Sequence, residues 1–136
     1  MKTFQVLLIA IMALSMNLSC SAQSDKQNEA TSVADADKVE VYYFHYTRRC
    51  VTCKSVEDVT KNALAELYGD NVTFANYNLD EPAGEAKGKE IGVSGQTLLI
   101  VNGDTKINIT NEGFMNARNP DNLKAIIKDK VDPLLN

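Results

Sequence analysis

Cys50 and Cys53, separated by Val51 and Thr52, are the side chains of this sequence best suited to carry out chemistry. They sit where a segment rich in Val and aromatics, Val39–Tyr46, gives way to apolar residues at Cys53, Val56, Val59, Ala63, Leu64 and Leu67. Spacings of three and four make that second segment an amphipathic helix. A thiol at a helix start faces unpaired backbone N–H groups and the positive end of the helix dipole, which stabilise its thiolate. Arg48 and Arg49 before it and Lys54 after it add cations that favour the same charge state. Cys53 falls on the buried stripe beside Val56. One accessible, acidic sulfur next to a covered one is the asymmetry that thiol–disulfide exchange needs: Cys50 attacks, a mixed disulfide forms, and Cys53 resolves it.

Other uses of the pair are weaker. A structural disulfide here would close a very short loop and constrain little chain. A zinc site wants two more Cys or His ligands, and His45 is the one histidine. A soft-metal or arsenite-binding protein is the serious alternative, since it would use the same two thiolates as ligands. Against it, Arg48 and Arg49 stand where a cation would arrive. No metal site and no cofactor is expected. His45, on the strand, reads as a hydrogen-bonded core or rim residue, or as a group that tunes or shuttles a proton for the thiols.

The third cysteine, Cys20, ends a leader-like segment. Lys2 supplies the positive end, Val6–Leu14 is an apolar run too short to span a bilayer, and the following residues are small or polar. Two cleavage sites compete. Cleavage before Cys20, with Ser19 as the small residue ahead of it, makes a lipoprotein whose Cys20 is lipidated; Asn17 departs from that pattern. Cleavage after Ala22 makes an ordinary secreted chain. The lipoprotein is favoured, which gives an exported protein held to a membrane in the cell envelope. Residues 21–37 carry no aromatic residue and one large aliphatic, Val33, so they read as a disordered tether. As a flexible coil the tether spans about 20–25 Å.

Residues 38–136 are enough for one hydrophobic core. The formal charge of −4 lacks the basic excess that nucleic-acid binding requires. Val39–Tyr46 reads as a strand covered on both faces, followed by the helix from Cys50 to about Gly69 and a strand Val72–Leu79. A short helix Glu81–Ile91, weakened by Gly84 and Gly88, comes next. Thr97–Val101 and Lys106–Thr110 form a hairpin about an Asn102-Gly103 turn. A last helix opens at Asn119-Pro120 and runs to about Val131. The order is β-α-β-α-β-β-α, an α/β chain with a central mixed sheet flanked by helices.

With these elements in place, residues 38–136 resemble the thioredoxin superfamily: strand, C-x-x-C helix, second strand and Gly95–Asp104 (GQTLLIVNGD) come in its order. CVTCK (Cys50–Lys54) is similar to the thioredoxin-like domains of transmembrane thiol reductants. The longer run YYFHYTRRCVTCKSVE resembles small exported C-x-x-C proteins named as nitrophenyl-compound nitroreductase subunits, found beside arsenic-resistance genes and a membrane permease. The resemblance implies a thioredoxin-like fold and a thiol–disulfide oxidoreductase, leaning to the reducing direction. It also implies a protein dithiol or disulfide as partner, such as a membrane electron-transfer protein or permease. Gly95, Gln96 and Thr97 match the loop that contacts substrate in the superfamily. There the sequence departs: Gln96 stands where the superfamily has a cis-Pro, Arg49 where it has Trp, and Phe44 where it has a buried acid. These departures leave exchange chemistry available and favour a dedicated partner.

Overall fold

Strand β1 (Val39–His45) is the axis of the fold. The computed structural model describes residues 38–136, so the leader, Cys20 and the 21–37 tether lie outside the described residues. β1 pairs in parallel with β2 (Val72–Asn78) and antiparallel with β3 (Thr97–Asn102), and β3 pairs antiparallel with β4 (Thr105–Asn108). The sheet order is β2-β1-β3-β4. A parallel neighbour requires a crossover, and helix α1 (Val51–Tyr68) provides it.

Both faces of the sheet are covered, and strand alternation decides which residue goes where. Val39, Val41 and Tyr43 point to one face and pack with Leu98 and Ile100 against Val56, Ala63 and Leu64 of α1. Leu123, Ile127 and Val131 of α4 (Pro120–Val131), spaced four apart, complete that layer. Burying each of these large aliphatic side chains contributes roughly 1.5–3 kcal/mol. The α1 stripe passes through Thr60, fully buried, and leaves Val59 only half-buried.

The opposite face carries Tyr42, Phe44, Leu99 and Val101 with Tyr77, Leu79, Ile91 and Val93. Phe44 stacks on Tyr77 with ring centroids 5.6 Å apart. Helix α2 (Pro82–Ile91) docks here through its glycines, which are buried. A Cβ on Gly84 would lie 1.9 Å from the Asn78 carbonyl oxygen, and one on Gly88 would lie 2.9 Å from that of Val93. The residues that weaken this helix by propensity are thus the ones that allow close approach, Gly84 to the end of β2 and Gly88 to the chain that folds back after the helix.

Two expectations change. The hairpin turn sits one residue later: Asn102 pairs with Thr105 as the last rung, and Gly103, at φ +54°, opens the two-residue loop. The first loop position of such a turn needs positive φ, which glycine adopts without strain. The segment Lys106–Thr110 also does not run on as a strand. β4 ends at Asn108, whose Oδ1 accepts from both the backbone N–H and the hydroxyl of Thr110. That local bond starts a further helix, α3 (Thr110–Met115), so the order is β-α-β-α-β-β-α-α. Among the described residues, no helix is long and apolar enough to cross a membrane.

Candidate active site

Cys50 is the N-cap of α1, with extended backbone and an exposed side chain. Its Sγ accepts the Cys53 backbone N–H at 3.3 Å, filling the place that a Ser or Asp oxygen takes at other helix starts. The loop that presents it is tied down on two sides. The Thr47 backbone N–H donates to Asp80 at 2.7 Å, and the Tyr46 hydroxyl donates to the Ser94 carbonyl at 3.2 Å. Thr47, Arg48, Arg49 and Cys50 line an open depression of about 560 Å³ at the surface.

Cys53 is 7% exposed and lies beneath that surface; both cysteines are free thiols. Three polar contacts surround it. Its thiol donates to Gln96 Oε1 at 3.9 Å, Gln96 Nε2 donates to the Tyr43 hydroxyl at 2.6 Å, and that hydroxyl donates to the Cys53 carbonyl at 3.0 Å. Burial pushes the Cys53 thiol up. Hydrogen bonding with Cys50 and with the backbone outweighs that push, and the thiol lies below its ordinary value. Burial also raises the Tyr43 phenol to about 12, only partly opposed by the Gln96 hydrogen bond.

The other sequence-identified residues take different places. Arg49 forms an ion pair with Glu57, whose second carboxylate oxygen accepts from Asn76. Arg48 is exposed and, among the described residues, makes no ion pair; Lys54 is exposed too, and its backbone N–H donates to the Cys50 carbonyl at 3.2 Å. His45 is buried, its Nδ1 3.1 Å from the Tyr46 carbonyl oxygen and its ring centroid 5.9 Å from that of Tyr43. None of its hydrogen bonds reaches a cysteine. Gly95 and Thr97 shape the loop beside the pair, the Thr97 hydroxyl donating to the Gly95 carbonyl at 2.9 Å. Gln96 is joined by a trans peptide, since the described residues contain no cis bond.

Phe44 does not lie under the thiols. It faces the opposite side of the sheet, and the β1 residue turned towards Cys53 is Tyr43. Strand alternation explains the correction: adjacent residues of β1 point to opposite faces. Tyr43 and Glu57 were not singled out in the sequence. The signal for Tyr43 was present, because a tyrosine on the helix-covered face of a strand needs a partner for its hydroxyl. Among the described residues, no cluster of three or more His, Cys, Asp or Glu is placed to hold a metal ion.

Among solved structures, the chain is similar to thioredoxin O2 from Arabidopsis thaliana in its oxidised state. The two share 23% identity over 70% of this chain and 76% of that one, with a TM-score of 0.52. A malarial protein aligns at 16% identity over 60% of this chain and 93% of its own length, with a TM-score of 0.43. No family model and no curated protein matches the chain. The mixed sheet, the flanking helices and the thioredoxin neighbour together make this a thioredoxin-like α/β fold.

Proposed function

We propose that this thioredoxin-like chain is a thiol–disulfide oxidoreductase, or redox relay, working through Cys50 and Cys53. The observation that carries the reading is the placement of Cys50 as the exposed N-cap of α1, with Cys53 covered one turn inside. The Cys50 thiolate attacks one sulfur of a partner disulfide, and the other partner sulfur leaves as a thiolate and takes up a proton. Cys53, having lost its proton, then attacks Cys50 Sγ and releases the second partner sulfur. The chain's dithiol becomes a disulfide, and the partner gains two electrons and two protons.

The substrate is a dedicated protein disulfide. Support comes from the surface beside Cys50, where Arg48 lacks an ion-pair partner among the described residues while Arg49 is held by Glu57. An acidic residue next to the partner's disulfide fits that free guanidinium. The reducing direction follows from the likeness of CVTCK to reductant domains. The leader and Cys20 support an exported chain, lipid-anchored in the cell envelope, that exchanges electrons with a membrane protein through its thiols.

Cys53→Ser is expected to trap a mixed disulfide through Cys50, visible as a reducible adduct by non-reducing electrophoresis and mass spectrometry. Cys50→Ser is expected to abolish it. If neither substitution changes any thiol-dependent reaction of the protein, the oxidoreductase reading fails.

A further inference from the structure

The geometry points to Gln96 as a positioning residue for the resolving step, its amide turning one face to the Cys53 thiol and the other to the thiolate. This inference rests on the exchange chemistry proposed above. A side-chain amide carries an acceptor oxygen and a donor nitrogen on one rotatable group. With both cysteines as thiols, Gln96 Oε1 accepts from Cys53 at 3.9 Å, and Nε2 is latched to the Tyr43 hydroxyl at 2.6 Å. A half-turn of the amide exchanges the two atoms. Nε2 then donates to the Cys53 thiolate, and Oε1 accepts from Tyr43, whose hydroxyl gives up the Cys53 carbonyl to do so. A hydrogen bond to a charged group is worth more than one between neutral groups, so the turned amide favours the form that attacks.

Backbone groups also favour the Cys53 thiolate, but among the described residues no other side chain takes the place of Gln96 in the resolving step. Cys50 sits at the helix cap, but in the mixed disulfide its sulfur is bonded to the partner and has no proton to give. From β1, Tyr43 stays a neutral phenol, and His45 is bonded to the Tyr46 carbonyl. Glu57 of α1 and Arg49 of the loop hold each other. In the resolving step the Cys53 proton goes to solvent, the Cys53–Cys50 bond forms, and the Cys50–partner bond breaks. The partner sulfur leaves with the electron pair and is protonated from solvent. Gln96 supplies neither proton nor electrons; it orients the sulfur and stabilises its charge.

The test uses the full chain carrying Cys20→Ser, so that only Cys50 and Cys53 react, with dithiobis(nitrobenzoate) as the disulfide. Stopped-flow absorbance is expected to show two releases of the coloured thiol: a first as Cys50 attacks and a second as Cys53 resolves. Gln96→Leu and the near-isosteric Gln96→Glu slow the second phase about tenfold at neutral pH, and by more than they slow the first. Gln96→Glu also raises the pH midpoint of the second phase by about one unit, because a carboxylate cannot donate to the thiolate and repels it. An unfolding midpoint close to the parent's reports an intact fold. A second phase within about twofold of the parent in both variants overturns the role of Gln96 and leaves the exchange reading standing. A parent chain with no second phase, or a first phase that survives Cys50→Ser, overturns the exchange reading itself.

Discussion

Gln96 and Tyr43 meet beneath the thiol pair, the Gln96 Nε2 donating to the Tyr43 hydroxyl at 2.6 Å although 53 residues separate them in sequence. The β1–β3 register makes the contact. It pairs Phe44 with Thr97, so Gln96, one residue beyond the ladder, turns to the Tyr43 side of the sheet. The pair therefore joins a strand, a loop and the first turn of α1 at the place where Cys53 lies.

The alkaline limb of stability should reflect these buried phenols. Burial raises Tyr43 to about 12, and burial with hydrogen bonds to Glu40 and Asp132 raises Tyr42 and Tyr68 as well. In the unfolded chain a phenol ionises near pH 10. Above that pH the unfolded chain binds fewer protons than the folded one, so the stabilisation present below pH 10 is lost as pH rises towards the folded values. Denaturant midpoints are expected to fall from pH 10 towards pH 12, with a shallower fall in Tyr43→Phe. An unchanged slope in that variant would count against the shift.

Gly84→Ala should damage the fold. Its Cβ would lie 1.9 Å from a backbone oxygen of β2, a clash that side-chain rotation cannot relieve. A loss of about 3 kcal/mol, or failure to fold, is expected from thermal or urea unfolding. At Gly95 a Cβ meets nothing within 4 Å, so Gly95→Ala should leave the unfolding midpoint nearly unchanged.

Thr60→Val should stabilise the protein. The Thr60 hydroxyl is fully buried in α1 and, among the described residues, has no hydrogen-bond partner. Removing an unsatisfied polar group while keeping the side-chain shape is expected to gain about 1 kcal/mol in urea unfolding, and a loss of stability would contradict this.

Arg49 and Glu57 should show coupled effects on stability. Glu57 is 14% exposed and also accepts from Asn76, so the ion pair is better ordered than a solvated surface pair. A double-mutant cycle with Arg49→Ala and Glu57→Ala is expected to give a coupling of about 1 kcal/mol. Additive effects would show that the pair is loose in solution.

Much of the fold was legible in the sequence because it rests on local patterns. The Val39–Tyr46 run, the three-four spacing from Cys53 to Leu67 and Pro120 at a helix start all reflect backbone geometry within one element. Helix α3 was missed because its start depends on one side chain, Asn108, whose Oδ1 accepts twice from Thr110 inside a stretch whose alternation reads as strand. Gly84 and Gly88 were legible only as a weakness, since their value lies in what packs against them.

By itself, the sequence determined that two thiols three residues apart begin an amphipathic helix after a buried strand, which settles where they are and that only one is exposed. Spacing along one helix is a local property, and burial follows from it. Only the tertiary structure decided what surrounds the covered thiol. Tyr43 and Gln96 come from a strand and a loop, and they are brought together by strand register and by which face of β1 each residue takes. Neighbouring residues of a strand point to opposite faces, so Tyr43 rather than Phe44 faces Cys53. That choice follows from pairing across the sheet, which short-range sequence patterns do not contain.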